Sequence, residues 1–179
     1  MHRYIALIGS INVGGNRLKM TDLRDALERE DFAEVETVVA SGNVMFAHDE
    51  RPTDGLAQKI AHIVADRFGI ETFAIVLDKA GLSAALAENP FVDDGEEKLV
   101  HVDFLTAQPS PEQFAKLQAD HAGRGPERLA PGTRALHIDY VEGVGRSRLT
   151  GDFIARRLGC DGTARNVRSI RRMIAKMEN

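Results

Sequence analysis

The first 78 residues alternate strand and helix patterns in an order that restricts the fold. In chain order, hydrophobic periodicity and capping signals predict a strand, a helix, two strands, a helix and a strand, over residues 3–11, 21–31, 35–40, 44–47, 54–68 and 70–77. Thr21 is the expected N-cap of the first helix. This βαββαβ order is the split βαβ, or ferredoxin-like, pattern, in which both helices cover one face of a four-stranded antiparallel sheet and the other face stays open.

The second half of the chain has a less regular pattern. It predicts a helix, a strand, a helix, a short strand, a strand and two closing helices, the first of them capped by Thr150, over residues 80–88, 99–106, 111–121, 127–130, 136–141, 151–158 and the last fifteen or so residues. This resembles a partial repeat of the first half that lacks its last strand. We therefore predict an α+β protein with a ferredoxin-like domain over residues 1–78 and a second α+β domain over residues 79–179 that packs on the first.

Composition limits the classes of protein that need to be considered. The chain has 179 residues, 43% of them hydrophobic, and it has the balance of an ordinary globular protein. The apolar run near the N-terminus is too short to span a bilayer, and no small-residue cleavage site follows it. The single cysteine, Cys160, excludes an internal disulfide and argues against a structural zinc site. We expect a cytoplasmic protein with no bound metal or cofactor and no membrane partner.

Charge is unevenly distributed along the chain. Residues 146–179 hold nine of the 23 Lys and Arg side chains but three of the 27 carboxylates, which makes this segment net +6 and the remainder net −10. In the last helix, apolar residues from Val167 to Met177 fall on one face, and the cations Arg165, Arg168, Arg172 and Lys176 are expected opposite them. Such a face suits an anionic partner. The alternative is an ordinary surface that pairs with the acidic loop at Asp93, Asp94, Glu96 and Glu97.

Chain topology predicts where a ligand would bind. In a split βαβ unit the first two strands run parallel, so the loops that follow them emerge at the same edge of the sheet. The N-terminus of the first helix faces this edge, and its free N–H groups favour an anion. The predicted ligand-binding residues are Asn12, Gly14, Gly15, Lys19, Ser41, Gly42, Asn43, Ser147, Arg148, Thr150, Arg165 and Asn166. The alternative is that the glycines and asparagines serve as turn residues alone.

Known nucleotide-binding and RNA-binding patterns are absent. Gly9 and Gly14 have the spacing of the P-loop glycines, but Gly15 and Asn16 stand where lysine and Ser/Thr are needed. No G-x-G-x-x-G opens a helix, which disfavours a Rossmann enzyme. The chain has no Trp and few aromatic residues on the predicted strands, so contact with nucleic acid would be mainly to phosphates.

A repeated His-x-Asp pattern, His101/Asp103 and His137/Asp139, is a second candidate site. In a strand, residues two apart point to the same face. If the two strands are neighbours, these four side chains could bind a divalent metal or act as general acid and base. The alternative is a solvated strand face with cross-strand ion pairs. Ser147 and Cys160 are candidate nucleophiles without a nearby base in the sequence.

Several short motifs resemble a known family. They are Ile11-Asn12-Val13-Gly14-Gly15, Ser41-Gly42-Asn43, Asn89-Pro90-Phe91, Arg146-Ser147-Arg148-Leu149-Thr150 and Thr163-Ala164-Arg165-Asn166. With these motifs the chain resembles the bacterial domain of unknown function family numbered 1697. It departs from the usual pattern at Gly9-Ser10 (usually arginine-glycine), Arg148 (usually lysine) and Val167 (usually tryptophan). The resemblance implies an α/β fold with ferredoxin-like character and no assigned activity.

Two functional hypotheses follow from these observations. The first is a binding protein that holds a phosphorylated or other anionic ligand, including the phosphate backbone of a nucleic acid, between the motif loops and the basic C-terminal segment. The second is an enzyme of small-molecule metabolism that uses the same loops as a substrate clamp. The oligomeric state is not predicted.

Overall fold

A computed structural model describes residues 1–9, 17–39, 42–49 and 53–179 of the chain. The elements, in chain order, are β1 (His2–Ile8), α1 (Met20–Glu28), β2 (Ala33–Thr37), β3 (Asn43–His48), α2 (Thr53–Phe68), β4 (Ala74–Leu77), α3 (Lys79–Glu88), β5 (Val100–Leu105), α4 (Pro111–His121), β6 (Arg128–Gly132), β7 (Ala135–Asp139), a 3₁₀ turn (Val144–Arg146), α5 (Gly151–Leu158), β8 (Gly162–Asn166) and α6 (Val167–Met177). The predicted α+β class is confirmed.

The first sheet has the strand order β2-β3-β1-β4, and each neighbouring pair is antiparallel. This is the ferredoxin-like arrangement predicted from the βαββαβ order. Since β1 and β2 both run antiparallel to β3, they are parallel to each other, and their C-terminal ends lie at the same edge of the sheet. That edge is the one at which the sequence predicts ligand binding.

The helices α1 and α2 supply the core on one face of this sheet. Tyr4, Ala6 and Ile8 of β1 belong to one buried cluster with apolar side chains of both helices, including Leu23, Leu27, Leu56, Ile60 and Val64. The alternate residues Ile5 and Leu7 are also fully buried. Because successive strand residues point to opposite faces, the expectation that the second face stays open is wrong.

The second sheet repeats the first one. Its order, β6-β7-β5-β8, matches β2-β3-β1-β4 element for element, and its pairs are again antiparallel. The prediction that the repeat lacks its last strand is wrong. The missing strand is β8, which pairs along β5 from His101↔Asn166 to Leu105↔Gly162. The β8 sequence, Gly-Thr-Ala-Arg-Asn, has no apolar alternation, so this strand depends on its hydrogen bonds to β5 rather than on a local pattern.

The described chain forms two compact units. One comprises Met1–Leu82 with Arg172–Asn179, and the other comprises Ser83–Arg171. The helices α3 and α6 therefore each belong partly to one unit and partly to the other. Domains over residues 1–78 and 79–179 remain predictions. Among the described residues, no helix combines the length and apolar character needed to cross a membrane.

Candidate functional site

Two backbone hydrogen bonds join the flanks of the predicted binding loops in the first unit. The N–H of Ile8, the last residue of β1, donates to the carbonyl of Gly42 at 2.8 Å. The next N–H, of Gly9, donates to the carbonyl of Phe73 at 3.0 Å. The loop after β1 thus begins directly beside the turn between β2 and β3. The predicted ligand residues Asn12, Gly14, Gly15 and Ser41 lie outside the described residues.

Gly42 and Asn43 occupy the described end of this turn. Gly42 has φ of 88°, a left-handed conformation that glycine adopts without the steric cost of a Cβ atom. Asn43 begins β3 opposite Leu7 of β1, and it is buried. An amide at a buried strand end is positioned by its surroundings, since a buried polar group is costly unless it is hydrogen-bonded.

The first helix begins earlier than the sequence indicates. Lys19 rather than Thr21 is its N-cap, and the carbonyl of Lys19 accepts the N–H groups of Asp22 and Leu23, each at 3.1 Å. Lys19 makes no side-chain hydrogen bond that caps the helix, and its side chain is exposed. The start of α1 therefore has no side-chain cap from Lys19, and it lies beside the exposed amino group of that residue.

The departure from the family pattern at Gly9 has a steric cause in this chain. A Cβ atom at Gly9 would lie 2.3 to 2.9 Å from three carbons of the Phe73 ring. A larger residue would fit there only if that ring moved. The Phe73 ring thus occupies the space that a side chain at position 9 would need.

Two of the predicted ligand residues in the second unit have internal hydrogen bonds that explain their residue types. Ser147 Oγ donates to Glu127 Oε1 at 2.6 Å and accepts the N–H of Leu149 at 3.0 Å. Thr150 is the N-cap of α5, as predicted, and its Oγ1 accepts the N–H of Phe153 at 3.2 Å. Their hydroxyls thus stabilise the entry to α5. Arg148 is exposed in the same segment.

Arg165 and Asn166 lie in β8 and not in the last helix. The Arg165 guanidinium donates to Thr163 Oγ1 at 2.6 Å and to the Ala164 carbonyl at 2.9 Å. Burial lowers the pKa of Arg165 to about 10, while the charge of Asp103 partly opposes this shift. The Oδ1 atom of Asn166 accepts the N–H of Ser169 at 2.8 Å, so Asn166 caps the start of α6.

The last helix has the predicted apolar face but a partly neutralised cationic one. Val167, Ile170, Met173 and Met177 are buried. Lys176 pairs with Glu36 at 2.8 Å, and Arg171 pairs with Glu97 of the acidic loop. The sequence analysis gives pairing with the acidic loop as the alternative to an anionic partner. In the structure Arg171 makes this pair, and Arg171 is not one of the four cations named there. Arg168 and Arg172 are exposed.

The two His-x-Asp pairs lie on opposite faces of the second sheet. In the β5–β7 register Val102 is paired with His137, and directly paired residues point to the same side. His137 and Asp139 therefore share a face with Val102, whereas His101 and Asp103 point away from it. The strands are neighbours as expected, but the predicted four-residue site on one face is wrong. No group of three or more potential metal-ligating His, Cys, Asp or Glu residues occurs in the described ranges.

Three of these side chains, Asp103, His137 and Asp139, are also buried rather than solvated, and His101 is half-buried. His137 is 0% exposed, and its Nε2 lies 2.9 Å from Glu88 Oε2. Glu88 also accepts the N–H of Thr133 at 2.9 Å and the Thr133 hydroxyl at 2.8 Å. Burial raises the pKa of Glu88, but the hydrogen bonds from His137 and Thr133 outweigh this effect and lower it overall. Glu88 is thus a fixed carboxylate.

Asp103 faces a small enclosed cavity on the other side of the sheet. The cavity has a volume of about 140 Å³, and its wall includes Tyr140, Cys160 and Gly162. Burial raises the pKa of Asp103 to about 7, although the charge of Arg165 acts in the opposite direction. Burial likewise raises the pKa of Tyr140 to about 12 and that of the Cys160 thiol.

Sequence reasoning missed Glu88 and Arg128. The Arg128 guanidinium donates hydrogen bonds to the carboxylates of both Asp94 and Asp139. Glu88 contacts residues 45 and 49 positions later in the chain. No local motif marks either residue, so only a prediction of strand register could have identified them.

Comparisons with known proteins give a family and a fold. A family model described as a protein of unknown function, DUF1697, matches residues 1–137. No curated protein matches the chain. A solved structure, the conserved bacterial protein SP0830 from Streptococcus pneumoniae, is similar with a TM-score of 0.75 and 19% sequence identity, over 100% of this chain and 99% of that one. At this identity the similarity concerns the fold alone.

Proposed function

The chain belongs to the DUF1697 family of proteins of unknown function, and on that premise we propose that it is a cytoplasmic bacterial protein that binds a phosphorylated or other anionic small molecule. The binding site in this proposal is the edge of the first sheet where β1 and β2 end. The single observation that carries it is the hydrogen bond from the Ile8 N–H to the Gly42 carbonyl, which brings the flanks of the two glycine-bearing loops together.

The chemistry of the described residues at this edge supports an anion. Lys19 brings a positive charge, and the start of α1, which the Lys19 side chain does not cap, brings backbone N–H groups that carry partial positive charge. Gly42 places its backbone in a conformation that allows close approach of a ligand. These groups act through hydrogen bonds and charge and require no metal.

We favour a small anion over a nucleic acid backbone. Nucleic acid binding depends on several exposed cations along one surface. In the basic C-terminal segment, Arg165 is engaged within its own strand, and Arg171 and Lys176 each have a carboxylate partner. Nevertheless Arg168 and Arg172 are exposed, so an oligonucleotide remains a useful probe in the test.

The test is titration with inorganic phosphate, a panel of phosphorylated metabolites and a short oligonucleotide at low salt, with amide NMR shifts or the melting temperature as the readout. Lys19→Ala is expected to weaken binding about tenfold, because a charged hydrogen bond is lost. Arg29→Ala, a change at the opposite end of the same helix, is the matched control and should leave binding unchanged. Equal effects of the two changes, or no saturable binding, would overturn the proposal.

The enzyme hypothesis uses the same loops, so the same variants also address it. A bound compound that is converted to a product would favour the enzyme over the binding protein. Incubation of each compound that raises the melting temperature, followed by mass spectrometry, makes that distinction.

A further inference from the structure

The second unit contains a cleft that no sequence motif indicates. It has a volume of about 620 Å³, within the range of small-molecule sites. Its lining residues are Glu88, Gln108, Pro109, Pro111, Phe114, Ala115, Gln118, Pro131 and Gly132. They come from the end of α3, the start of α4 and the end of β6, together with the segment that leads into α4. We propose that this cleft binds a small molecule with a protonated amine and an apolar body.

The charge of the cleft favours a cation. Glu88 is the one charged residue among the described residues that line it. The Glu88 side chain is 33% exposed, so its carboxylate can reach a ligand while it is held by Thr133 and His137. A carboxylate fixed in this way loses little further freedom when it binds an ammonium group.

His137 holds Glu88 from the buried side of the cleft. Its Nε2 atom lies 2.9 Å from Glu88 Oε2, so a hydrogen on Nε2 donates to the carboxylate. The effect of burial is outweighed by the hydrogen bonds from His137 and Thr133, which lower the pKa of Glu88. The Glu88 carboxylate therefore presents a negative charge to the cleft.

The three prolines make the lining poor in hydrogen-bond donors. Pro109, Pro111 and Pro131 have carbonyl groups but no backbone N–H. Gln108 Nε2 donates to the carbonyls of Pro109 and Gly132, at 3.3 and 3.2 Å, and Gln118 Nε2 donates to Leu129 at 3.0 Å. Each of the two amide groups thus already donates at least one hydrogen bond within the protein. A ligand that brings its own donors, as an ammonium group does, matches this surface.

The start of α4, which forms one wall, does not favour an anion here. Its capping box is complete: Ser110 Oγ accepts the N–H of Gln113 at 3.2 Å, and Gln113 Oε1 accepts the N–H of Ser110 at 2.8 Å. Pro111 has no N–H, and Glu112 places a carboxylate in the first turn. The positive end of this helix is therefore already compensated.

The remaining wall is apolar and suits a hydrocarbon or aromatic group. Phe114 and Ala115 of α4 and the three proline rings surround the space next to Glu88. Burial of a ring against such side chains supplies most of the binding free energy, and the carboxylate then selects for the charged amine.

Three ligands of the same shape test this proposal. Phenethylamine is the cation, 2-phenylethanol the neutral analogue and 3-phenylpropionate the anion. Amide NMR titration of the full chain is expected to show saturable shifts at Gln118 and Ala115 with phenethylamine, about tenfold weaker binding of the alcohol, and no binding of the propionate. Absence of saturable phenethylamine shifts, or equal affinity for the propionate, would overturn it.

Two variants locate the site, and a third is the control. Glu88→Gln should weaken phenethylamine about tenfold while 2-phenylethanol binds as before. Ala115 is exposed, so Ala115→Leu fills the cleft without disturbing the core, and it should abolish binding of both ligands. Glu112→Gln removes a carboxylate from the same helix outside the lining and should change neither. If Ala115→Leu leaves phenethylamine affinity unaltered, the ligand binds elsewhere and the proposal is wrong.

Discussion

Arg128 and Asp139 stand directly opposite each other in β6 and β7, and the guanidinium donates to Asp139 Oδ2 at 2.6 and 3.2 Å. The same guanidinium also binds the exposed Asp94 at 2.9 and 3.1 Å. The hydrogen bonds that Arg128 donates to the two carboxylates raise its pKa, and those to Asp94 contribute more than those to Asp139. One arginine thus serves a buried carboxylate and an exposed one.

This geometry predicts that removing the arginine and removing its exposed partner Asp94 have unequal effects on stability. Arg128→Met leaves Asp139, 4% exposed, without its cation, and it should lower the unfolding midpoint markedly. Asp94→Asn removes only an exposed pair and should have little effect. Urea unfolding of the two variants measures the difference. Equal small effects would mean that Asp139 is stabilised by other groups, such as the Val141 N–H that it accepts at 3.0 Å.

Asp103 predicts a pH dependence of stability. Its pKa is raised from 3.8 to about 7 by burial, so the folded protein holds a proton that the unfolded chain releases. The free energy of unfolding should therefore fall as the pH rises from about 4 to about 7 and then level off. Asp103→Asn should remove this slope and be more stable than the wild type at pH 8, by on the order of a few kcal/mol.

Chemical denaturation at pH 5 and pH 8 checks this prediction. Asp93→Asn, a change at an exposed aspartate of the same unit, is the control and should follow the wild-type profile. If the wild type and Asp103→Asn have parallel pH profiles, Asp103 is ionised in the folded protein at low cost, and its cavity contains compensating groups.

Gly132 is predicted to be sensitive to a single added methyl group. A Cβ atom there would lie 2.6 Å from His137 Nε2 and 2.8 Å from Glu88 Oε2, which would force this pair apart. Gly132→Ala should therefore destabilise the protein by about 1–3 kcal/mol. Gly151→Ala, at the start of α5 with no described atom within 4 Å of its Cβ position, should be neutral or stabilising by up to about 1 kcal/mol. Thermal unfolding compares them, and similar losses in both would contradict the steric argument.

Thr150 allows a test of its role as a helix cap. Thr150→Ala removes the acceptor for the Phe153 N–H and should cost about 1 kcal/mol of stability. Thr150→Ser keeps the hydroxyl and should lose no more than a few tenths of a kcal/mol. If the two changes cost the same in urea unfolding, the methyl group and not the cap stabilises this position.

Local signals predicted several elements closely. The bounds of α4 match the sequence prediction because its start signals are local: Ser110 and Gln113 form a capping box within one turn, and Pro111 occupies the first helical position. The end of α5 at Gly159, with φ of 71°, is equally local. The strand β8 was missed because its residues become a strand only when β5 supplies the hydrogen-bond partners.

The candidate site divides in the same way. The order of elements was enough to predict that the loops after β1 and β2 emerge at the same edge of the first sheet. The hydrogen bond from the Ile8 N–H to the Gly42 carbonyl joins the flanks of these loops at that edge. The placement of Arg165 was wrong because helical periodicity was extended across the start of α6 at Val167. The burial of Asp103, His137 and Asp139 and the opposite faces of the two His-x-Asp pairs follow from strand register, which no local pattern specifies.

What the amino-acid order determined by itself is the fold class and the family, since hydrophobic period, capping residues and short motifs act over a few neighbouring positions. The tertiary structure alone decided which polar groups meet. Glu88 reaches His137, and Arg128 reaches Asp94, across more than thirty residues of chain. Such contacts depend on the pairing of strands and the packing of helices. Strand pairing and helix packing decide whether a carboxylate is buried or lies at a cleft, whatever its neighbours in the sequence are.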